Sequence, residues 1–265
     1  MMRALEKWLG GSALYRQGGV EVREKCGVRT LHLGSETIQS AMRIEHPYDL
    51  ELSYTRAMMA FLLFVPVPKH ALMIGLGGGS LAKFIYYRLP QSRVRVVEIS
   101  PEVVKVARSH FLLPADDDRL TVEIGEGSNY LSSSREKVDA LLIDAYDGRA
   151  LAASLTTDVF YSIARTVLSR AGVLVINLWS NDWAFDRNVK RIERAFDNRC
   201  ICLPAERPGN VIAIAFAAVP QSLRWRDLSA AAIDLQARLG LPFPEFVAGL
   251  RKMNQHDSDG LCMGG

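Results

Sequence analysis

ALMIGLGGGSLAKFIYYRLPQSRVRVVE, residues 71–98, has the grammar of a nucleotide-binding α/β unit. The apolar run 71–74 reads as a buried strand. Gly75, Gly77, Gly78 and Gly79 permit a tight turn and close backbone approach to a ligand, and residues 80–89 read as a helix whose N-terminus faces that ligand. A second apolar run ends on Glu98, roughly 20 residues beyond the loop, where a carboxylate can accept both hydroxyls of an adenosine ribose.

Downstream, the alternation of strand and helix continues. Ser100-Pro101-Glu102 is an N-cap serine with proline at the first helical position, opening a helix to about His110. Residues 120–124, 138–143 and 173–178 read as strands, 138–143 as a central parallel one. Residues 129–134 read as a short helix or turn, 158–169 as an amphipathic helix and 186–196 as another helix. Residues 199–203 and 211–217 read as paired antiparallel strands at the sheet edge. Such repeated βα units predict a doubly wound α/β sheet with ligands at the carboxyl ends of its strands. Upstream, 20–23 and 30–33 flank Cys26-Gly27 as a β-hairpin, 37–44 reads as a third strand, and 49–63 as a helix ending before Pro66 and Pro68. The expected division is a β appendage with the start of a linking helix over 1–56, a nucleotide-binding body over 57–220 and a helical extension with a frayed tail over 221–265.

With 265 residues, 49% of them hydrophobic and 23% charged, the chain can bury a sizeable core. A net charge of +3 without a block of Lys and Arg argues against a nucleic-acid or membrane-surface partner. The four cysteines show no CxxC pair and no metal spacing, and no role falls to the scattered histidines, so no metal is expected. Cys200 and Cys202, alternating on a strand, are expected on opposite faces. The longest apolar candidate, 57–67, is broken by proline, and Glu6 and Lys7 interrupt the start where a signal peptide needs an apolar core. These features predict a soluble, cytoplasmic, reduced protein.

The strands of the body end in Gly75, Glu98, Glu126-Gly127, Asp144 and Asn177, which an open sheet brings to one crevice. Glu98 is assigned to ribose, while Glu126 fits either an adenine amino group or a turn. In LIDAYDG, Asp144 follows a buried strand and Asp147 lies in the loop beyond. One of these carboxylates could take a proton from an amine while the other holds a cationic group. The competing reading makes Asp147-Gly148 a turn and Asp144 a cap. Trp179 and Trp183 either wall the pocket or pack in the core.

From about Thr37 to Ala217 these motifs, in order, resemble the spermidine synthase (polyamine aminopropyltransferase) family, within the class I methyltransferase-like, Rossmann-like fold. The carriers are IGLGGGS, VVEIS, IGEGSNYL, LIDAYDG and LTTDVFY. The resemblance implies Asp144 as general base and Asp147 as an amine-binding carboxylate. It places Glu126 on adenine, and Gln39 and Tyr54 on cofactor and amine. The co-substrate implied is decarboxylated S-adenosylmethionine or S-adenosylmethionine, the partner a small-molecule amine, and the assembly a homodimer through the β appendage. Three positions depart from the family pattern. Gly78 stands where the family has an Asp that grips the donor's amino group, Thr55 replaces His or Gln after Tyr54, and Glu206 replaces a Tyr near the amine. Losing that Asp removes a charge-assisted contact of about 1.5–3 kcal/mol and a repulsion against the carboxylate of intact S-adenosylmethionine. Aminopropyl transfer is ranked first on the breadth of the match, and S-adenosylmethionine-dependent methyl transfer, which Gly78 favours, second. A non-catalytic nucleotide-binding protein is third, disfavoured by the paired carboxylates.

Overall fold

The computed structural model describes residues 8, 10–146, 151–206 and 209–263. Its first element is an antiparallel sheet of β1 (Ser12–Gln17), β2 (Val20–Lys25), β3 (Val28–Leu33) and β4 (Ile38–Arg43), paired in that order. The expected hairpin is β2–β3. Cys26 and Gly27 both take left-handed backbone angles, φ 52° and 71°, as a two-residue turn of matching twist requires. β1 was not anticipated. It is exposed along most of its length, so it carries no alternating apolar signal. The helix expected over 49–63 starts later, as α1 (Ser53–Met58), and tightens into a 3₁₀ turn over Met59–Leu63.

The body follows as β5 (His70–Ile74), α2 (Ser80–Arg88), β6 (Arg93–Glu98), α3 (Pro101–His110), β7 (Leu120–Ile124), α4 (Gly127–Ser133) and β8 (Val138–Ile143). Then come α5 (Asp158–Val167), β9 (Leu168–Trp179), α6 (Phe185–Ala195), β10 (Cys200–Pro204), β11 (Asn210–Phe216), α7 (Trp225–Leu239) and α8 (Phe243–Met253). The second sheet runs β10-β11-β9-β8-β5-β6-β7, parallel from β9 through β7 and antiparallel on both sides of β11. The chain leaves β5 toward β6 and β7, then returns to β8 on the other side of β5. That reversal makes the carboxyl ends of β5 and β8 the topological switch point, where ligands of such sheets sit.

Both faces of the sheet are covered, and the strands divide their side chains between them with period two. Met73, Val96, Leu142 and Val175 face the core shared with α2, α3, α7, α8 and the first sheet. Ile74, Val97, Ile143 and Ile176 face the core under α4, α5 and α6. Cys200 and Cys202 share one face of β10, contrary to the expectation, because residues two apart on a strand point the same way. Their thiols act on each other, which pushes Cys200 up and Cys202 down. Among the described residues no helix is long and apolar enough to cross a membrane.

The first sheet is fastened to the body beneath the glycine loop. Lys83 of α2 is 1% exposed, and its Nζ donates to the Pro47 carbonyl (2.9 Å), the Phe111 carbonyl (2.6 Å) and the Met42 sulfur (3.2 Å). Burial pushes this ammonium from its ordinary 10.5 down to about 7. Because the folded pKa lies below the unfolded one, the unfolded chain holds the extra proton between them. Folding stability from this group should therefore rise with pH from about 7 to 10.5 and stay flat below that window. Denaturant titrations across the window, compared with Lys83→Met, check this: the variant should lose the rise, and parallel slopes would refute it.

Candidate active site

The crevice at the switch point depends on close approach of two strand ends. Gly75, at φ +94°, would place a Cβ 2.3 Å from the Asp144 carbonyl oxygen, so no side chain fits there. The Asp144 N–H donates to the Ile74 carbonyl at 3.0 Å, and the Gly75 N–H to the Val97 carbonyl at 2.9 Å. Asp144 is thus fixed just beyond β8, facing the end of β5.

Two lobes open from this point. The first, about 250 Å³, is lined by the end of β5 with Gly75 and Gly77, by Val97–Ile99, by Gly125, Glu126 and Gly127, and by Leu155. Glu98 is 7% exposed, its Oε2 accepting from the Leu76 N–H (2.8 Å) and its Oε1 from the Ser100 N–H (2.9 Å). Burial raises its carboxyl, while these backbone donors pull it back. Glu98 therefore shapes the glycine loop as well as facing the lobe. Glu126 is the N-cap of α4: Oε2 accepts from the Asn129 N–H (2.8 Å) and Ser128 Oγ (2.7 Å), Oε1 from Ser154 Oγ (2.9 Å). Burial pulls its carboxyl up, and these hydrogen bonds more than offset it, leaving it below the usual range. Glu126 thus caps a helix and lines the lobe.

The second lobe, about 400 Å³, is lined by Glu36, Ile38, Leu52, Trp179, Asn181 and Asn210 among others. Gln39, Tyr54, Asp144 and Tyr146 line both lobes and so stand at the junction. Burial raises the Asp144 carboxyl, against the hydrogen bond from Asn177 Nδ2 (3.0 Å) and the neighbouring Tyr54 hydroxyl, which lower it. The Tyr54 hydroxyl donates its proton to the Gln39 carbonyl at 3.2 Å, and its own pKa is pushed well up by burial and by Asp144. The Tyr146 ring stacks on Trp179 at 5.2 Å, making an aromatic wall. Gln39 keeps a buried Nε2 without a protein partner, a donor left for a ligand. Among the described lining of the second lobe the charged groups are Glu36 and Asp144, with no Lys, Arg or His. No group of three or more potential metal ligands occurs among the described residues.

Other sequence-selected residues lie elsewhere. Gly78 and Gly79 are behind the loop; Gly79 N-caps α2 with left-handed geometry, and the Gly78 N–H donates to Ser40 Oγ of β4 at 2.8 Å. The exposed carboxylate of Glu206 pairs with Arg56 at 3.0 Å outside the described lining of both lobes, while Gly209 and Asn210 line the second lobe. Asp147 lies outside the described residues. Trp179 walls the pocket, whereas Trp183 is 84% exposed with Arg187 over its ring. Asn210, Glu36 and Ser40 were missed. Nothing local marks them, since each reaches the site through strand pairing or sheet docking.

A spermine/spermidine synthase domain model matches residues 51–202. The chain belongs to this family. Polyamine aminopropyltransferase of Chromobacterium violaceum is 43% identical over 92% of the chain and 94% of its own length. The polyamine aminopropyltransferase of Neisseria meningitidis serogroup A is 38% identical over 90% and 91%. A probable spermidine synthase structure from Corynebacterium glutamicum shares the fold, with TM-score 0.71 at 19% identity over 94% and 96%. Within the family this chain has Thr55 turned inward, its hydroxyl donating to the Leu52 carbonyl at 2.7 Å inside α1, away from both lobes.

Proposed function

We propose that the protein transfers an aminopropyl group from decarboxylated S-adenosylmethionine to an amine acceptor, releasing methylthioadenosine. The observation that carries this reading is the place of Asp144, at the junction of a glycine-lined lobe and a lobe whose described charged lining is wholly anionic. The donor's adenosine occupies the first lobe, with Glu98 on the ribose, Glu126 at the adenine edge and the backbone of Gly75 and Gly77 against it. The acceptor occupies the second lobe, its alkyl chain along Tyr146 and Trp179 and its cationic ends near Asp144 and Glu36. Asp147, the other carboxylate implied by the family resemblance, is assigned to the amine on that basis.

A free alkylamine arrives protonated, with a pKa of roughly 10 by analogy with lysine. Asp144 takes that proton, and the nitrogen lone pair forms a C–N bond at the carbon beside the sulfonium. The C–S bond breaks with its electron pair returning to sulfur, which leaves as a neutral thioether. The sulfonium is already activated, so the protein supplies alignment and a base.

The direct test is incubation with a diamine and either decarboxylated or intact S-adenosylmethionine, products read by mass spectrometry. An N-aminopropyl product with methylthioadenosine from the decarboxylated donor supports the proposal. Methylated amine from the intact donor would replace it. Glu98→Ala should weaken donor binding about ten- to hundred-fold in calorimetry, since hydrogen bonds to a charged acceptor contribute about 1.5–3 kcal/mol. Unchanged affinity would remove Glu98 from the donor site. The homodimer is part of the same proposal, with the four-stranded sheet as its surface, and sedimentation velocity reads it.

A further inference from the structure

Behind Asp144, two asparagines on neighbouring antiparallel strands are linked. Asn210 of β11 donates from Nδ2 to Oδ1 of Asn177 on β9 at 2.9 Å, and Asn177 Nδ2 donates to Asp144 Oδ1 at 3.0 Å. Asn177 is 2% exposed, and its backbone carbonyl is held by the Tyr146 hydroxyl at 2.9 Å. We propose that Asn210 and Asn177 form an amide relay that sets the polarity of the Asp144 site, Asn210 fixing Asn177 so that it presents N–H and not oxygen to the carboxylate.

The physical ground is the near-symmetry of the carboxamide. Its oxygen and nitrogen ends are the same size, so packing around Asn177 cannot choose between them, and only hydrogen-bond partners can. An N–H facing Asp144 favours the ionised carboxylate, a proton acceptor. An oxygen facing it is compatible only with the protonated acid, which has no base left to offer. While Asn210 presents its N–H, only the oxygen of Asn177 satisfies it, so this pairing favours the orientation that turns the Asn177 N–H to Asp144. The Tyr54 hydroxyl of α1 lies beside Asp144 with its proton on the Gln39 carbonyl, and Tyr146 flanks the carboxylate. Glu36 lies across the second lobe, and Glu98 and Glu126 across the first. No cationic side chain is among the described lining of either lobe, so the ionised form rests on neutral donors. Asn177 and Asn210 are thus positioning residues, and the inference rests on the reading of Asp144 as the base.

The test uses three variants at position 210. The carboxyl pKa of Asp144 is read by ¹³C NMR on Asp-labelled protein, the signal assigned by its loss in Asp144→Asn. In parallel, the acidic limb of the kcat–pH profile and the donor Kd are measured. Asn210→Asp can only accept, so it reverses Asn177 and should raise the Asp144 pKa by about one unit or more. Asn210→Ala, neutral, should raise it in the same direction by less, and Asn210→Ser, whose hydroxyl can donate, should return it toward the parent value. The donor Kd should stay within about two-fold in all three, because position 210 lines only the acceptor lobe. An unmoved Asp144 pKa in Asn210→Ala overturns the relay, as does a shift confined to Asn210→Asp, which would be the new charge alone. The NMR reading holds whether or not the protein turns over, so absence of aminopropyl transfer would count against the functional reading and not against the relay.

Discussion

Asp144→Asn should lower kcat by about 10²- to 10⁴-fold, the usual range for loss of a general acid–base group, while donor affinity stays within about two-fold. The substitution is isosteric and keeps the strand-end backbone bond from Asp144 N–H to the Ile74 carbonyl, so the crevice retains its shape. What disappears is the proton acceptor at the junction of the lobes. Burial already raises the Asp144 carboxyl, which means its ionised form is held at a cost that Asn177 and the neighbouring Tyr54 only partly offset. Neutralising it should therefore leave thermal stability unchanged or slightly higher, a sign opposite to that of a damaged core. Single-turnover kinetics with calorimetric donor titration separate the outcomes. Equal losses in turnover and affinity would make Asp144 a binding residue and remove it as the base.

Gly78→Asp, which restores the acidic residue that the family resemblance leads one to expect in the glycine loop, should destabilise the protein and weaken donor binding. A Cβ at position 78 would lie 2.9 Å from Phe111 Cδ1 and 3.0 Å from Ser40 Cβ. Phe111 is fully buried and Ser40 is 7% exposed, so neither has open space to retreat into. Overpacking of this kind costs about 1–3 kcal/mol, and the buried carboxylate adds to it. For a chain of this size each kcal/mol moves Tm by about 2–4 °C. The loop would also be pushed off Ser40, whose Oγ accepts the Gly78 N–H. Gly78→Ala isolates the steric part and should shift Tm in the same direction by less. Tighter binding of the decarboxylated donor by Gly78→Asp would refute this account. The sequence alone suggested a lost contact at position 78; the packing shows a position occupied by the first sheet and Phe111.

Position 206 carries the same lesson. The family resemblance places Glu206 near the amine, while its side chain pairs with Arg56 and Asn210, across the hairpin from β10, lines the lobe. The asparagine relay was equally invisible, since Asn177 read as a strand end and Asn210 fell between the two edge strands. The strand register that pairs Asn210 with Trp179 and Ile212 with Asn177 brings the two amides together.

Residues 71–98 by themselves determined the nucleotide-binding half. Strand, glycine turn, helix and terminal Glu98 are contiguous, and each rests on local physics: apolar periodicity, backbone freedom and a strand-end carboxylate. The βα alternation likewise set the doubly wound sheet and the convergence of Glu98, Glu126 and Asp144 at one crevice. The tertiary structure alone decided how the first sheet docks on the body through Lys83 and Ser40, which closes position 78. It also decided which polar groups surround Asp144. Such contacts join residues tens of positions apart, and their geometry depends on sheet register and helix packing, which no local pattern in the chain encodes.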